Sequence, residues 1–80
     1  MNNITVYSKF YCPYCKAAKQ LLASKGLDFT EIEVANDEIA LREMLDRSHG
    51  RKTVPQIFFG DRHIGGYTDL VEYFKTEDVA

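Results

Sequence analysis

The first half of the chain alternates between short β-rich runs and longer stretches with apolar residues at helical spacing. Ile4–Ser8 is too short for a helix and predicts the first strand. Residues 13–25 carry small and apolar side chains three and four positions apart, which predicts an amphipathic helix that stops at Gly26. Side chains alternate again over residues 29–34, so we expect a second strand near an edge of the sheet.

A second helix and a β-hairpin follow. Asn36 is the predicted N-cap of this helix, and His49-Gly50 is its predicted end. Residues 54–59 and 62–64 are short β-rich runs separated by Gly60-Asp61, a pair suited to a two-residue hairpin turn. The hairpin therefore adds two antiparallel strands to the sheet.

A third helix closes the pattern after Gly65-Gly66. Asp69 and Glu72 have the spacing of a capping box, and apolar residues follow at helical spacing. The predicted order is βαβαββα, in which the first βαβ unit gives parallel strands through a right-handed crossover. We expect an α/β fold in one domain spanning residues 1–80, with a mixed four-stranded sheet and three helices.

Length and composition limit the possible functions. A chain of 80 residues, 45% of them hydrophobic and 28% charged, suits one globular domain with a single core. The net charge of -2 gives no reason to expect binding to nucleic acid, and no apolar run is long enough to span a membrane. The N-terminus lacks the pattern of a secretory signal, so we expect a cytoplasmic protein. In that reducing compartment a close cysteine pair is more often catalytic or metal-binding than a structural disulfide.

Cys12 and Cys15 are the only cysteines, and they lie where the first predicted strand leads into the first predicted helix. Two thiols separated by two residues at such a junction are typical of an intracellular redox pair. With Pro13 at the first helical position, Cys12 becomes the N-cap and its sulfur faces the free backbone donors of Tyr14 and Cys15. Lys9 is near enough in sequence to add a positive charge. Because the thiolate is the reactive form, Cys12 is the predicted nucleophile and the more buried Cys15 the resolving thiol.

Two simpler interpretations of the pair stay open: two buried apolar cysteines, or half of a zinc site. Structural zinc sites take four ligands, and the histidines, His49 and His63, lack finger-like spacing. We therefore predict no metal site.

Thr53-Val54-Pro55 immediately precedes the third predicted strand. The proline is an ordinary residue for the start of a strand, and the trans form of its peptide bond is the expected one. A turn at this place exposes the backbone of Val54 beside the sulfurs, where an extended peptide can pair with it as an added strand.

Gly65–Asp69 is most simply a glycine turn followed by an ordinary helix cap. A helix N-terminus with a free backbone donor at Thr68 or Asp69 can also bind a carboxylate, and Asp69 can pair with an ammonium group beside it. An α-amino acid presents both of these charges.

Together these residues resemble the glutaredoxin family, specifically its small dithiol type with a Cys-Pro-Tyr-Cys site. Three motifs occur in family order and spacing over nearly the whole chain: Lys9 with residues 12–15, then residues 53–55, then residues 65–69. The resemblance implies a thioredoxin-like fold, a cis peptide bond before Pro55, no tightly bound cofactor, and glutathione as the reducing co-substrate.

The resemblance also implies a role for each matching residue. Cys12 holds the glutathionyl group, and Cys15 closes the intramolecular disulfide. The expected glutathione-binding residues are Lys9, Tyr14, Arg42, Thr53, Val54, Pro55, Gly66, Tyr67, Thr68 and Asp69, with Arg51 as a neighbouring candidate to Arg42.

Several of these residues have a simpler interpretation. Lys9 and Arg42 also fit as solvated charges, and Tyr14 as an exposed aromatic side chain. Tyr67 stands where relatives often have cysteine, and it can form an aromatic rim with Tyr11 and Tyr14.

The implied function is that of a glutathione-dependent oxidoreductase, which reduces glutathione mixed disulfides through Cys12 and protein disulfides through both cysteines. Its partners are glutathione and disulfide-containing or glutathionylated proteins, and we expect a monomer with no nucleic-acid or membrane partner.

One alternative is a glutaredoxin-like redoxin reduced by thioredoxin reductase. Another is a binding protein in which two chains share an iron-sulfur cluster through Cys12 and glutathione. The glutathione-site residues argue against the first alternative, and Pro13 argues against the second.

Overall fold

The computed structural model describes residues 3–77, which form four strands and three helices. No helix in this part of the chain is long and apolar enough to cross a membrane. The predicted order βαβαββα is confirmed, although β3 begins two residues later than expected. In chain order the elements are β1 (Ile4–Ser8), α1 (Pro13–Ser24), β2 (Thr30–Glu33), α2 (Glu38–Arg47), β3 (Gln56–Phe59), β4 (Arg62–Gly65) and α3 (Tyr67–Glu77).

The sheet is mixed, with the strand order β2-β1-β3-β4. β1 pairs with β2 in parallel and with β3 antiparallel, and β3 and β4 form the hairpin. Phe59 pairs with Arg62, which leaves Gly60-Asp61 as the predicted turn. Because Tyr7 pairs with Gln56, the chain that leaves β1 and the chain that enters β3 lie at the same end of the sheet.

Side chains alternate along the strands, so the sheet has two apolar faces. One face packs with α1 and α3 around a buried cluster of Ile4, Val6, Ala18, Leu22, Ile57 and Leu70. The other face packs with α2 around a buried cluster of Tyr7, Val34, Ala40, Met44 and Phe58. The sheet is therefore the middle of three layers.

The start of α2 differs from the prediction. Asn36 is not its N-cap; Asp37 is, and its side chain accepts from the backbone N–H groups of Ile39 at 3.1 Å and Ala40 at 3.0 Å. Two neighbouring residues could both cap a helix, and Asp37 is the one whose backbone is extended, with φ -136° and ψ 97°.

The start of α3 also differs from the prediction, because the helix begins at Tyr67. The Leu70 N–H donates to the Gly66 carbonyl at 3.0 Å, and the Asp69 carboxylate accepts from the Gly66 N–H at 2.9 Å. Asp69 thus lies inside the first turn and reaches back to the residue that flanks the helix. The predicted capping box from Asp69 to Glu72 is wrong.

Arg47, in the last turn of α2, connects that helix to the sheet. Its guanidinium donates to the Tyr7 hydroxyl at 2.9 Å and to the Gly60 carbonyl at 3.0 Å, and lies 4.1 Å from the centroid of the Phe58 ring. The Tyr7 hydroxyl donates to the Glu43 carboxylate at 2.5 Å. Burial and the bond to Glu43 raise the pKa of Tyr7, so the phenol keeps the proton that it donates.

Replacing Arg47 with alanine should lower the free energy of unfolding by about 1 to 3 kcal/mol, because two hydrogen bonds and a cation–π contact are lost together. Urea denaturation measures the change. Arg42→Ala is the matched control, since Arg42 is an exposed arginine on the same helix, and it should change stability by less than about 0.5 kcal/mol. Equal effects of the two substitutions would contradict the role given to Arg47.

Candidate active site

Cys12 is the N-cap of α1, as predicted. Its backbone is extended (φ -103°, ψ 111°), Pro13 begins the helix, and the Cys15 N–H donates to the Cys12 sulfur at 3.2 Å. The Cys12 thiol donates to the Val54 carbonyl at 3.6 Å. Backbone groups therefore contact the Cys12 sulfur on two sides. Cys12 is only half-buried, so solvent still reaches it.

Cys15 is the buried member of the pair, with 1% of its surface exposed. Burial raises the pKa of Cys15 to about 12, helped by the hydrogen bond and charge of Cys12 and opposed by the Lys9 backbone and the Lys19 charge. Both cysteines are free thiols in this structure. At neutral pH Cys15 therefore keeps its proton, and Cys12 is the accessible sulfur.

Lys19 is a residue near the cysteines that the sequence analysis missed. It lies one helical turn beyond Cys15 on α1 and forms an ion pair with Glu31 at 2.7 Å. The bond from Lys19, followed by one from the Ser8 hydroxyl at 2.6 Å, lowers the pKa of Glu31. The spacing of four residues between Cys15 and Lys19 was the sequence signal that could have identified Lys19, because residues i and i+4 share a helix face.

The peptide bond between Val54 and Pro55 is cis. The family resemblance implied this form, whereas the trans form expected from the sequence alone is wrong. The sequence predicted that the Val54 backbone lies beside the sulfurs. In the structure the Val54 carbonyl is in contact with the Cys12 thiol.

A pocket of about 200 Å³ opens between the start of α1, the segment before β3 and the start of α3. Eight of the ten expected glutathione-binding residues line it, and Arg51 is the ninth lining residue. The eight are Tyr14, Thr53, Val54, Pro55, Gly66, Tyr67, Thr68 and Asp69.

Two of the expected residues do not line this pocket. Arg42 belongs to a separate surface groove along α2, together with Glu38 and Asp46. Lys9 contacts the cysteines through its backbone, where its carbonyl accepts from the Cys12 N–H at 3.2 Å.

The double glycine before α3 positions the carboxylate of Asp69. This carboxylate accepts from the Gly66 N–H at 2.9 Å and lies 3.7 Å from the Arg51 guanidinium. Gly65 has a φ of +119°, and a Cβ at this position would overlap the Asp69 carboxylate. A glycine is therefore required here for both the backbone angle and the close approach.

The aromatic residues of the predicted rim belong to two separate pairs. The rings of Tyr14 and Tyr67 lie 6.0 Å apart between centroids, as the predicted rim requires. Tyr11 instead packs edge-on against Phe10, with centroids 5.0 Å apart. Phe10, Tyr11 and Tyr14 are all largely exposed.

The two histidines have other surroundings. His49 is exposed and has a left-handed backbone (φ 59°) just after α2. His63 lies on β4, with its Nε2 hydrogen-bonded to the side-chain oxygen of Gln56 at 2.7 Å. Within residues 3–77, no group of three or more His, Cys, Asp or Glu is arranged to hold a metal ion.

Comparison with known sequences gives a consistent result. The family model described as glutaredoxin matches residues 4–64. The chain is 50% identical to glutaredoxin 3 of Escherichia coli (strain K12) over 70 residues, which cover 88% of this chain and 83% of that protein.

Solved structures agree with this match. The solution structure of a glutaredoxin from Brucella melitensis has a TM-score of 0.81 at 42% identity, and the alignment covers 99% of this chain and 85% of that one. A crystal structure of a buckwheat glutaredoxin-glutathione complex also has a TM-score of 0.81, at 34% identity, and covers 98% of this chain and 73% of that one. The fold is thioredoxin-like, and the dithiol at the start of α1 is that of a thiol-disulfide oxidoreductase. Sequence match, fold and cysteine geometry together show that the chain belongs to the glutaredoxin family.

Proposed function

We propose that this protein reduces disulfides with electrons from glutathione, acting as a single-domain cytoplasmic monomer on glutathionylated and disulfide-containing proteins. The setting of the Cys12 sulfur carries the proposal: it accepts from the Cys15 N–H, donates to the Val54 carbonyl and is reachable from solvent. A backbone donor at a helix N-terminus suits a thiolate, which is the form that attacks disulfides. No tightly bound cofactor is needed for this chemistry.

With a glutathionylated protein, the Cys12 thiolate attacks the glutathione sulfur of the mixed disulfide. The bond from that sulfur to the protein sulfur breaks, the protein thiolate leaves and takes up a proton, and the glutathionyl group stays on Cys12. The thiolate of a second glutathione then attacks the bound glutathione sulfur, which gives oxidised glutathione and returns Cys12 as a thiolate. Cys15 takes no part in this route.

With a protein disulfide, Cys12 bonds to one substrate sulfur and the other leaves as a thiolate. Cys15 then loses its proton and attacks the Cys12 sulfur, which releases the reduced substrate and leaves a Cys12–Cys15 disulfide. Two glutathiones supply the two electrons that restore the dithiol, and they leave as oxidised glutathione.

The pKa of Cys15 explains the order of these steps. When Cys12 is a thiolate, its hydrogen bond and its charge add to burial in keeping Cys15 protonated. Once Cys12 is bonded to a substrate sulfur it carries no charge, so this part of the effect disappears. Cys15 therefore ionises more readily at the stage when its attack is required.

Glutathione fits the pocket beside α3. The Val54 carbonyl loses its thiol donor when Cys12 becomes glutathionylated, so the Val54 backbone can then pair with the cysteinyl part of the tripeptide. The first-turn N–H groups at Thr68 and Asp69 bind the γ-glutamyl carboxylate, and the Asp69 carboxylate pairs with its ammonium. Arg51 is a better candidate than Arg42 for a contact with a carboxylate of glutathione, because Arg51 lines the pocket and Arg42 does not. The buckwheat complex supports this choice of ligand, since that relative is described as bound to glutathione.

Cys12→Ser should lower both activities by a factor of about 1,000 or more, because a serine hydroxyl is a far weaker nucleophile than a thiolate. Cys15→Ser should keep reduction of a small glutathione mixed disulfide within about threefold of wild type, because that route bypasses Cys15, and should lose reduction of a protein disulfide. A coupled assay with glutathione, glutathione reductase and NADPH measures both reactions.

Two outcomes of this assay would contradict the proposal. Equal activity of wild type, Cys12→Ser and Cys15→Ser would contradict the dithiol mechanism. Reduction of the oxidised protein by thioredoxin reductase and NADPH, with none by glutathione, would remove glutathione as the electron source and favour the other reductant.

Iodoacetamide should modify Cys12 and spare Cys15 in the native dithiol protein between about pH 7 and pH 9. Cys15 is 1% exposed, and burial with the effect of Cys12 raises its pKa to about 12, so its thiolate becomes abundant only as the pH approaches that value. Fragment-ion mass spectrometry separates the two sites, and the protein unfolded in urea, where both cysteines should react, is the control. Modification of native Cys15 at neutral pH would refute its assignment as the buried resolving thiol.

A further inference from the structure

A chain of hydrogen-bonded side chains runs behind the pocket. Gln56, the first residue of β3, is fully buried. Its side-chain nitrogen donates to the Thr53 carbonyl at 2.9 Å and to the Thr53 hydroxyl at 3.2 Å. Its side-chain oxygen lies 2.7 Å from Nε2 of His63, on the neighbouring strand β4. The segment before β3 is thereby joined to β3 and β4.

Only one assignment of donors and acceptors satisfies these hydrogen bonds. A backbone carbonyl only accepts, so the Gln56 group that faces Thr53 is the NH₂ and the atom that faces His63 is the carbonyl oxygen. That oxygen needs a donor, so His63 carries a proton on Nε2. The Thr53 hydroxyl accepts from Gln56, which leaves its own proton for a partner elsewhere.

The packing of His63 keeps this arrangement in place. Its ring stacks on Phe58, with centroids 4.7 Å apart and planes 21° apart, and the two residues pair across the hairpin. Burial, followed by the charge of Arg51, lowers the pKa of His63. At neutral pH the ring is therefore uncharged, and the hydrogen bond to Gln56 accounts for its one N–H.

We propose that His63 and Gln56 are positioning residues of the glutathione site, which together present the Thr53 hydroxyl as a hydrogen-bond donor to the ligand. The inference rests on the function proposed above. Thr53 is exposed and lines the pocket with Arg51, whereas His63 and Gln56 are absent from that lining and so act through Thr53. A donor hydroxyl in a pocket that an arginine also lines favours a carboxylate or carbonyl oxygen, which a tripeptide supplies.

His63→Phe and His63→Gln are a matched pair that tests this role. Phenylalanine keeps an aromatic ring against Phe58 but cannot donate to Gln56, whereas glutamine loses the ring but its amide can donate. His63→Phe should raise the KM for glutathione about threefold to tenfold, and His63→Gln should stay within about twofold of wild type, as expected for loss of one hydrogen bond. The rate of Cys12 alkylation, which does not use the pocket, should be the same in all three proteins.

Thr53→Val completes the experiment, because it removes the hydroxyl and keeps the shape of the side chain. If His63 acts through that hydroxyl, His63→Phe in the Thr53→Val background should change the KM for glutathione by less than about twofold. An unchanged KM in His63→Phe, an equal rise in His63→Gln, or a parallel fall in alkylation rate would overturn the positioning role while leaving the proposed function intact. A wild-type protein that turns over no glutathione would instead overturn both.

Discussion

The contact between the Cys12 sulfur and the Val54 carbonyl joins two segments that lie 42 residues apart in the chain. It requires the chain that leaves β1 and the chain that enters β3 to meet at one end of the sheet. The antiparallel pairing of these two central strands provides that meeting point. Helices on both faces of the sheet then fix the strands, so the Cys12 sulfur has the start of α1 on one side and the Val54 backbone on the other. The remaining features of the site are arranged around this contact.

The difference between the two cysteines follows from one turn of helix. Cys12 flanks the helix and faces solvent, whereas Cys15 lies inside the first turn and is covered by the core. Burial makes the charged form of Cys15 unfavourable, and the sulfur of Cys12 adds to that effect. Two identical side chains, three positions apart, thereby become one accessible thiol and one buried thiol.

Local sequence patterns predicted the order of the elements, because periodicity records which side chains are buried. The starts of α2 and α3 were predicted less accurately. Asn36 and Asp37 are both good capping residues, and the choice depends on which of them has the extended backbone. The cis bond before Pro55 came from family resemblance, since general energetics favour trans.

Some site residues belong to local sequence motifs, and others depend on contacts between segments that are distant in the sequence. Those in the motifs around the cysteines and the double glycine could be named from the sequence, and eight of the expected ligand contacts line one pocket. Arg42 does not, because its position depends on how α2 lies against the sheet. Gln56 and His63 gave no signal, since a polar residue in a short strand resembles a surface residue until its partner on the next strand is known.

The buried polar residues explain how such a small site keeps its geometry. Burying a polar group is unfavourable unless it is hydrogen-bonded, and within residues 3–77 no buried side-chain nitrogen or oxygen lacks a partner. The fully buried polar residues of this part each bond to a segment beside the site: Ser8 to Glu31, Ser48 to Arg51, and Gln56 to Thr53. Apolar contacts in the same places would exclude water equally well, but they have no preferred direction. Hydrogen bonds do, so these residues fix where the pocket-lining loop and the ion pair next to Cys15 can lie.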